Sequence, residues 1–538
     1  MKKTKLLLVN TILTKDYGEP VSILFLASYL RSEGHYVRIY DPQIYGDENL
    51  KQLEEICKQD SYDFVGISVL TSSDESIEIV KRMAIAIRRI LPRTIIGCGG
   101  VGASLRYRDF LDIPDVDLIV LGEGEHTVTE LAEKISVGEN DYCKIPGIAT
   151  KENPEYEKRQ LISDLDSLPF MARDTLDERI KGLDQSLIDQ FELRIFCGRG
   201  CFGSCTFCAN YTFANLCQGE RCRQRSVDSL VEEMEMLHQK YGVVRFSFWD
   251  DNFLPIGQEG LNKAKSIQKA FQKLSFCPVF GIQTRVDTIT EEIIDILQRA
   301  GLQNVYLGVE NINENELRIL GKQVSPEQIK NALRILYQYG YSYQSESPYR
   351  LRIGYIAFTP YSTVQSIKEN LKFINEFRIP INKLMKNLLV FHGTPIKTLV
   401  QRDGLMGENF AWKFNKPGVE QLYHAIRLVI KRYLLWYEKI RYISKIAKYS
   451  SYELDWNFVC EIKDQLSTET RYRLGNICDA MVDDNTCEDC VDEMVRKSIQ
   501  AIDAIAQRYS IEKYCGDFLT DHSDMVARFE KASYVFFD

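Results

Sequence analysis

Cys201-Phe-Gly-Ser-Cys205-Thr-Phe-Cys208 is the stretch on which the reading of this chain turns. Three cysteines at C-x3-C-x2-C spacing offer three thiolates to one centre. A [4Fe–4S] cluster ordinarily takes four cysteines, so a three-thiolate loop leaves one iron open to another ligand. The competing reading is a zinc site or three unrelated thiols. Zinc loops favour paired C-x2-C units with a second pair or histidines downstream, and none follows here at suitable spacing. Cys197, Cys217 and Cys222 flank the loop and read as buried, inert thiols. Cys487-Glu-Asp-Cys490, with Cys478 upstream, is the only other close pair and a weak signal for a second cluster.

Around this loop the chain has the composition of a globular enzyme. Its 538 residues carry 67 Lys and Arg against 76 Asp and Glu, a net charge of −9. That balance argues against a large nucleic-acid surface. The start, Met-Lys-Lys-Thr-Lys, leads into a short apolar strand and not into the core of a signal peptide. The best early apolar run, Val21–Leu30, is too short to span a bilayer. Fifteen cysteines without a secretion signal imply free or metal-bound thiols in a reducing compartment, and the expected location is cytoplasmic.

In the first 150 residues, short apolar strands alternate with helical patterns. Strands are predicted at 5–9, 37–40, 64–69, 94–98 and 118–121, with helices between them such as Val21–Ser32. That alternation gives βαβ units and a doubly wound, flavodoxin-like parallel sheet. Ligands of such sheets lie beyond the carboxyl ends of the strands. There the sequence places Ser68, Leu70 and Thr71, then Gly99-Gly100, then Gly122-Glu123-Gly124. Glycines at strand ends let a bulky ligand approach the backbone. Residues 151–185 read as a polar, proline-bearing linker.

From Leu193 the alternation resumes. Strands are predicted at 193–196, 245–249, 279–284, 304–308, 350–358 and 387–390. They imply a partial (β/α)6 barrel over 186–400, with its site at the strand ends. Ser325, Pro326 and Gln328 spell a capping box for a helix at 326–339. Residues 401–538 read as helical. Within them Leu428–Lys448 carries Lys431, Arg432, Lys439, Arg441, Lys445 and Lys448, either a solvated face or a surface for an anionic or peptide substrate.

The cysteine spacing, with Phe207 just before the last thiol, resembles the radical SAM superfamily. Ser68-x-Leu70 followed by Gly99-Gly100 resembles two of the three motifs of cobalamin-binding domains, and Asp41-Pro42 agrees with it. The third motif, Asp-x-His-x-x-Gly, is absent, and Asp16-Tyr-Gly-Glu-Pro-Val21 stands in its place. His35 and His126 read as ordinary turn or surface residues. Over roughly residues 1–400 the chain is similar to the cobalamin-dependent (class B) radical SAM enzymes. The resemblance implies a [4Fe–4S] cluster on Cys201, Cys205 and Cys208, S-adenosyl-L-methionine on the open iron, and base-off, His-off cobalamin. It implies SAM contacts from Asp250 (amino group), Gln283 and Arg285 (carboxylate), Glu310 (ribose) and Gly354–Pro360 (adenine). The turn Thr359-Pro-Tyr-Ser-Thr363 departs from the family's glycine-rich ending, and His392 falls on the resembling last-strand turn. The implied activity is C-methylation of an unactivated carbon through methylcobalamin and a 5′-deoxyadenosyl radical. The alternatives are a radical rearrangement, cyclisation or ring contraction without net methylation, or an inactive corrinoid sensor or carrier. Implied partners are a small-molecule or peptide substrate and a reductant such as flavodoxin or ferredoxin, with neither membrane nor nucleic acid.

Overall fold

In β1 (Lys5–Asn10) every residue after Lys5 is buried, the run expected of a parallel strand covered on both faces. This computed structural model describes residues 3–13, 18–46, 49–343, 347–407, 411–449, 454–482 and 488–523. β1 sits inside a sheet with β2 (Tyr36–Tyr40), β3 (Phe64–Ser68), β4 (Ile95–Gly99) and β5 (Leu118–Val120). The order is β2-β1-β3-β4-β5, all parallel, with antiparallel β6 (Ile148–Thr150) added at the edge. β6 is too short to show a period in sequence. The register aligns Asn10 with Ser68 and Ser68 with Gly99, so the predicted site residues share one rim. Two apolar cores cover the two faces.

The polar linker is stapled down. Arg173, buried, pairs with Glu19 at 3.0 Å and Glu233 at 3.5 Å, and donates to the Arg194 carbonyl at 2.8 Å. Arg179 reaches Asp41 at 3.0 Å. Asp41 also accepts from the Asn10 side chain and caps the short helix Pro42–Tyr45. Asp41-Pro42 therefore braces the fold.

The second sheet contains β7 (Glu192–Ile195), and a separate antiparallel pair follows it, β8 (Gly198–Arg199) with β9 (Arg223–Gln224). β10 (Arg245–Phe248), β11 (Val279–Arg285), β12 (Leu302–Glu310) and β13 (Arg350–Tyr355) complete it in the order β13-β12-β11-β10-β7. The predicted sixth strand at 387–390 is reduced to one bridge, Phe358 with Asn387. Past Tyr355 the chain turns: the Thr359 N–H donates to the Ser362 hydroxyl at 2.9 Å. Pro360 has no N–H to extend a ladder. The capping box of Ser325 and Gln328 forms as the sequence spells it.

Four helices follow, Pro417–Tyr449, Trp456–Val482, Glu488–Arg508 and Ile511–Asp521. Their apolar residues join the core of the second sheet in one continuous cluster, with Tyr423 edge-on to Phe358 at 5.0 Å. Arg432 pairs with Asp503 and Lys439 with Glu512, so much of the basic face serves the packing of these helices. Among the described residues no helix is long and apolar enough to cross a membrane.

Candidate functional site

The carboxyl ends of both sheets open onto one cavity of about 280 Å³. Its first wall is the rim of the N-terminal sheet, with Ser68, Gly99, Gly100, Gly122, Glu123 and Gly124. Gly100 and Gly122 have φ of +88° and +78°, a region L side chains rarely adopt. A Cβ on Gly100 would stand 2.8 Å from the Val69 carbonyl oxygen, and one on Gly122 would collide with the Cys217 thiol. Gly99 is extended and has room, its nearest neighbour being Val120 at 3.5 Å. From this rim the cavity runs down the sheet flank past Leu8, Gly66, Gly97 and Val128. Leu70 and Thr71 lie outside it. Leu70 is 43 % exposed, and the Thr71 hydroxyl shares a hydrogen bond with Ser76 in the next helix at 2.7 Å.

The second wall comes from residues on either side of the cysteine loop, Gly200 before it and Asn210 and Phe213 after it, with Trp249 and Asp251 beyond β10; the three cysteines themselves are not part of the lining. The indole of Trp249 stacks on the Arg194 guanidinium at 3.5 Å. The predicted Asp250 faces the other way: its carboxylate accepts from the Cys197 N–H at 3.2 Å, behind the loop. Burial pushes Asp250 up to about 6. Asp251, held by the Asn210 amide, is the carboxylate that lines the cavity.

In the loop itself, Cys205 is buried while Cys201 and Cys208 are half-buried. Backbone N–H groups of Gly203 and Tyr211 point at the sulfurs of Cys201 (3.3 Å) and Cys208 (3.5 Å). Burial nonetheless pushes the Cys208 thiol up to about 11, and that of Cys201 upward as well. Thiols so placed give up their protons to a bound metal, not to water. Among the described residues no three His, Cys, Asp or Glu side chains converge on a single ion, and each thiolate of a four-iron cluster binds its own iron. Phe207 packs into the apolar cluster of Leu320, Ile356, Leu388 and Val390.

The remaining predicted contacts sit around the second sheet. The Arg285 guanidinium is already engaged: it pairs with Asp287 at 2.8 Å and donates to the Lys322 carbonyl and toward the Cys205 sulfur. It is thus a brace of the cysteine loop and not a fork awaiting a carboxylate. Gln283 is exposed to the barrel lumen. Glu310 takes a left-handed φ of +67° at a β-bulge and accepts from Lys322 at 3.1 Å. Tyr355 and Phe358 of the 354–360 segment turn into the core. His392 bonds Lys397 at 2.7 Å, and burial lowers its pKa to about 4. The His126 ring lies tilted against Tyr29, 5.6 Å between centroids, and His35 accepts from the Thr4 N–H. Cys478 is fully buried and Cys490 exposed, while Cys487 and Asp16 lie outside the described residues.

Sequence reasoning missed a buried ion network between the walls. The Glu123 carboxylate binds Arg199 (3.1 Å), Arg223 (2.9 Å) and the Ile162 N–H (2.9 Å), and Arg199 also binds Glu125 at 2.6 Å. These cations hold Glu123 below the usual carboxylate range although burial opposes them. Arg199 stands two residues before Cys201, so the network ties the glycine rim to the cysteine loop. Glu123→Gln removes the charge shared by two buried guanidinium groups, leaving Arg199 to Glu125 and Arg223 to the Ile162 carbonyl. We expect it to cost about 3 kcal/mol, read as a lower Tm in thermal unfolding. Lys439→Gln, on an exposed pair, should leave Tm nearly unchanged.

The donors fit the groups the resemblance implies: three thiols in one loop whose flanks, Gly200 and Asn210, line a cavity together with a glycine rim and an apolar trench. Residues 195–349 match the radical SAM superfamily and residues 8–132 the B12 binding domain. The chain is 28% identical over 328 residues to an uncharacterized methyltransferase of Pyrococcus horikoshii, covering 60% of this chain and 67% of that one. It is also 28% identical over 344 residues to the anaerobic magnesium-protoporphyrin IX monomethyl ester cyclase of a Synechocystis species, covering 62% and 64%. It thus spans about two thirds of the length of these relatives. The cobalamin-dependent S-adenosylmethionine radical enzyme OxsB, solved with aqua-cobalamin and S-adenosylmethionine bound, has the same fold. Its TM-score is 0.75 at 18% identity, over 99% of this chain and 85% of that one, C-terminal helices included. The groups that go with the two matched domains are a [4Fe–4S] cluster, S-adenosylmethionine and cobalamin. With a B12-binding domain set ahead of a radical SAM domain, the chain belongs to the cobalamin-dependent radical SAM enzymes.

Proposed function

We propose that this enzyme is a C-methyltransferase acting on an unactivated carbon. The observation that carries the reading is the shared cavity: the Gly99–Gly100 rim and the residues that flank the cysteine loop, Gly200 and Asn210, line one space. When bound, the cofactors supply a carbon-centred radical and a transferable methyl group. Cys201, Cys205 and Cys208 are the proposed cluster ligands, with Arg285 bracing the loop behind Cys205. Ser68, Gly99, Gly100, Gly122 and Gly124 form the proposed corrinoid rim. The trench past Gly66 and Gly97 receives the nucleotide tail, the arrangement of a base-off, His-off cofactor. Glu123 and Arg199 fix the distance between the two walls, and Trp249 and Phe213 exclude water from the space between. The methyltransferase relative supports methyl transfer. The cyclase relative, equally identical, favours ring closure as the second reading.

Anaerobic incubation of the reconstituted enzyme with S-adenosylmethionine, a low-potential reductant and candidate substrates separates them. Methylation yields S-adenosylhomocysteine and 5′-deoxyadenosine together, with a product one carbon larger. A consumed substrate of unchanged carbon count, without S-adenosylhomocysteine, would overturn it in favour of cyclisation.

A further inference from the structure

Gly308 on β12 and Gly354 on β13 are partners in register. Leu307, Val309 and Ile353 beside them are buried in the core of the second sheet, so strand alternation puts both glycines on the lumen face, together with exposed Tyr306. A side chain at either place would be in the way. A Cβ on Gly354 would stand 3.1 Å from the Tyr306 hydroxyl oxygen and 3.3 and 3.4 Å from the two Glu310 carboxylate oxygens. One on Gly308 would stand 2.9 Å from the Lys322 ammonium and 3.0 Å from Glu310. The two glycines are thus a floor over which three polar ends gather. The left-handed backbone of Glu310, at its bulge, turns the carboxylate back over that floor.

Lys322 engages one carboxylate oxygen of Glu310 at 3.1 Å. The other oxygen and the Tyr306 hydroxyl have no hydrogen-bond partner among the described residues. Burial and the Glu310 charge push the Tyr306 phenol up to about 12, so it stays a donor beside an acceptor. Two adjacent hydroxyls suit such a pair: one accepts from the phenol while the other donates to the carboxylate. The floor also has a definite place. Gly308 pairs with Arg285, one strand spacing of about 4.8 Å away, and Arg285 donates toward the Cys205 sulfur at 3.7 Å. The cofactor of that loop carries a vicinal diol, the ribose of S-adenosylmethionine, one carbon from its sulfonium.

We propose that Tyr306 is a positioning residue for S-adenosylmethionine, donating to one ribose hydroxyl while Glu310 accepts from its neighbour. The assignment rests on S-adenosylmethionine binding at the cysteine loop, and it holds whether the product is methylated or cyclised. A ribose held by both hydroxyls leaves its C5′ carbon, the reactive one, little freedom to turn. Gly308 and Gly354 belong to the same device, because only a bare floor lets the phenol and the carboxylate converge.

The test is anaerobic equilibrium dialysis of labelled S-adenosylmethionine against the full-length, cofactor-loaded protein, without reductant so that nothing turns over. Tyr306→Phe keeps the ring and removes only the hydroxyl, and it should bind about five- to tenfold more weakly than wild type. Gly354→Ala, at a backbone outside the left-handed region, should also weaken binding by pushing the two polar ends apart. Tyr472→Phe, on an exposed helix face, should bind as wild type does. The 2′-deoxy and 3′-deoxy analogues of S-adenosylmethionine then locate the contact. With at least one of them, wild type and Tyr306→Phe should bind alike, because the hydroxyl that the phenol held is gone. Equal affinity of wild type and Tyr306→Phe for S-adenosylmethionine, or a loss that persists in full with both analogues, overturns the role. Failure of wild type to bind S-adenosylmethionine, with the cluster present by absorption, overturns it together with the placement of that cofactor at the loop.

Discussion

Alanine at Cys201, Cys205 or Cys208 is expected to abolish the four-iron signal and to cut 5′-deoxyadenosine formation by more than about a thousandfold, over 4 kcal/mol of barrier at 1.36 kcal/mol per decade. Each change removes one of only three thiols in the loop. The surroundings give no substitute: Cys197 is fully buried behind the loop. Cys222, half-buried on the approach to β9, makes the control. Cys222→Ala should assemble the cluster and cleave S-adenosylmethionine at the wild-type rate. Iron content and 5′-deoxyadenosine yield, measured anaerobically after reconstitution, decide the matter. Retention of a full cluster in Cys208→Ala with its loss in Cys222→Ala would falsify the ligand assignment.

Leucine at Gly99 should weaken cobalamin binding at least about a hundredfold, some 2.7 kcal/mol, while the iron–sulfur cluster still assembles. Gly99 is a better probe than its neighbour. Gly100 has a left-handed backbone and a carbonyl 2.8 Å from any Cβ, so a side chain there disturbs the fold itself. At Gly99 the backbone is extended and the Cβ position is in ordinary contact with Val120 only. A leucine therefore grows into the cavity without forcing the chain to move, and it takes up space that a corrinoid needs. Equilibrium titration of hydroxocobalamin into wild type and Gly99→Leu reads the effect. Equal affinity in the two would place the corrinoid elsewhere.

The parallel, doubly wound character of the first sheet and the position of the cysteine loop were legible because strand and helix periods alternate cleanly there. Ser68, Gly99 and Gly100 could be found because a parallel sheet puts its ligand at one rim, and register then makes neighbours of distant residues. The polar members of the site were harder. Asp250 and Asp251 are adjacent and chemically identical, and only the course of the chain just after β10 decides which one meets the cavity. Arg285 has the chemistry of a carboxylate receptor, but Asp287, two residues on, already occupies it. Glu123 sits in the glycine-flanked turn that the sequence singles out, but nothing there points to Arg199, 76 residues on, so their pairing is a product of tertiary packing. Nor does the polarity of residues 151–185 tell that Arg173 is buried among carboxylates. The sixth strand failed because Pro360 and the Thr359–Ser362 turn interrupt the ladder that its apolar run would have joined.

One continuous apolar core joins the second sheet to the helices beyond residue 417, whereas the first sheet keeps cores of its own. The barrel and its C-terminal helices are therefore a single cooperative folding unit. Ile426, Ile430, Ile443 and Leu466, none of them measurably exposed, are as much a part of the barrel's interior as its strands. Excising the helices would uncover a wide apolar face, and the remnant would be prone to self-association before its catalytic competence could be judged. Variation in the helical region is thus constrained on its inner side by stability.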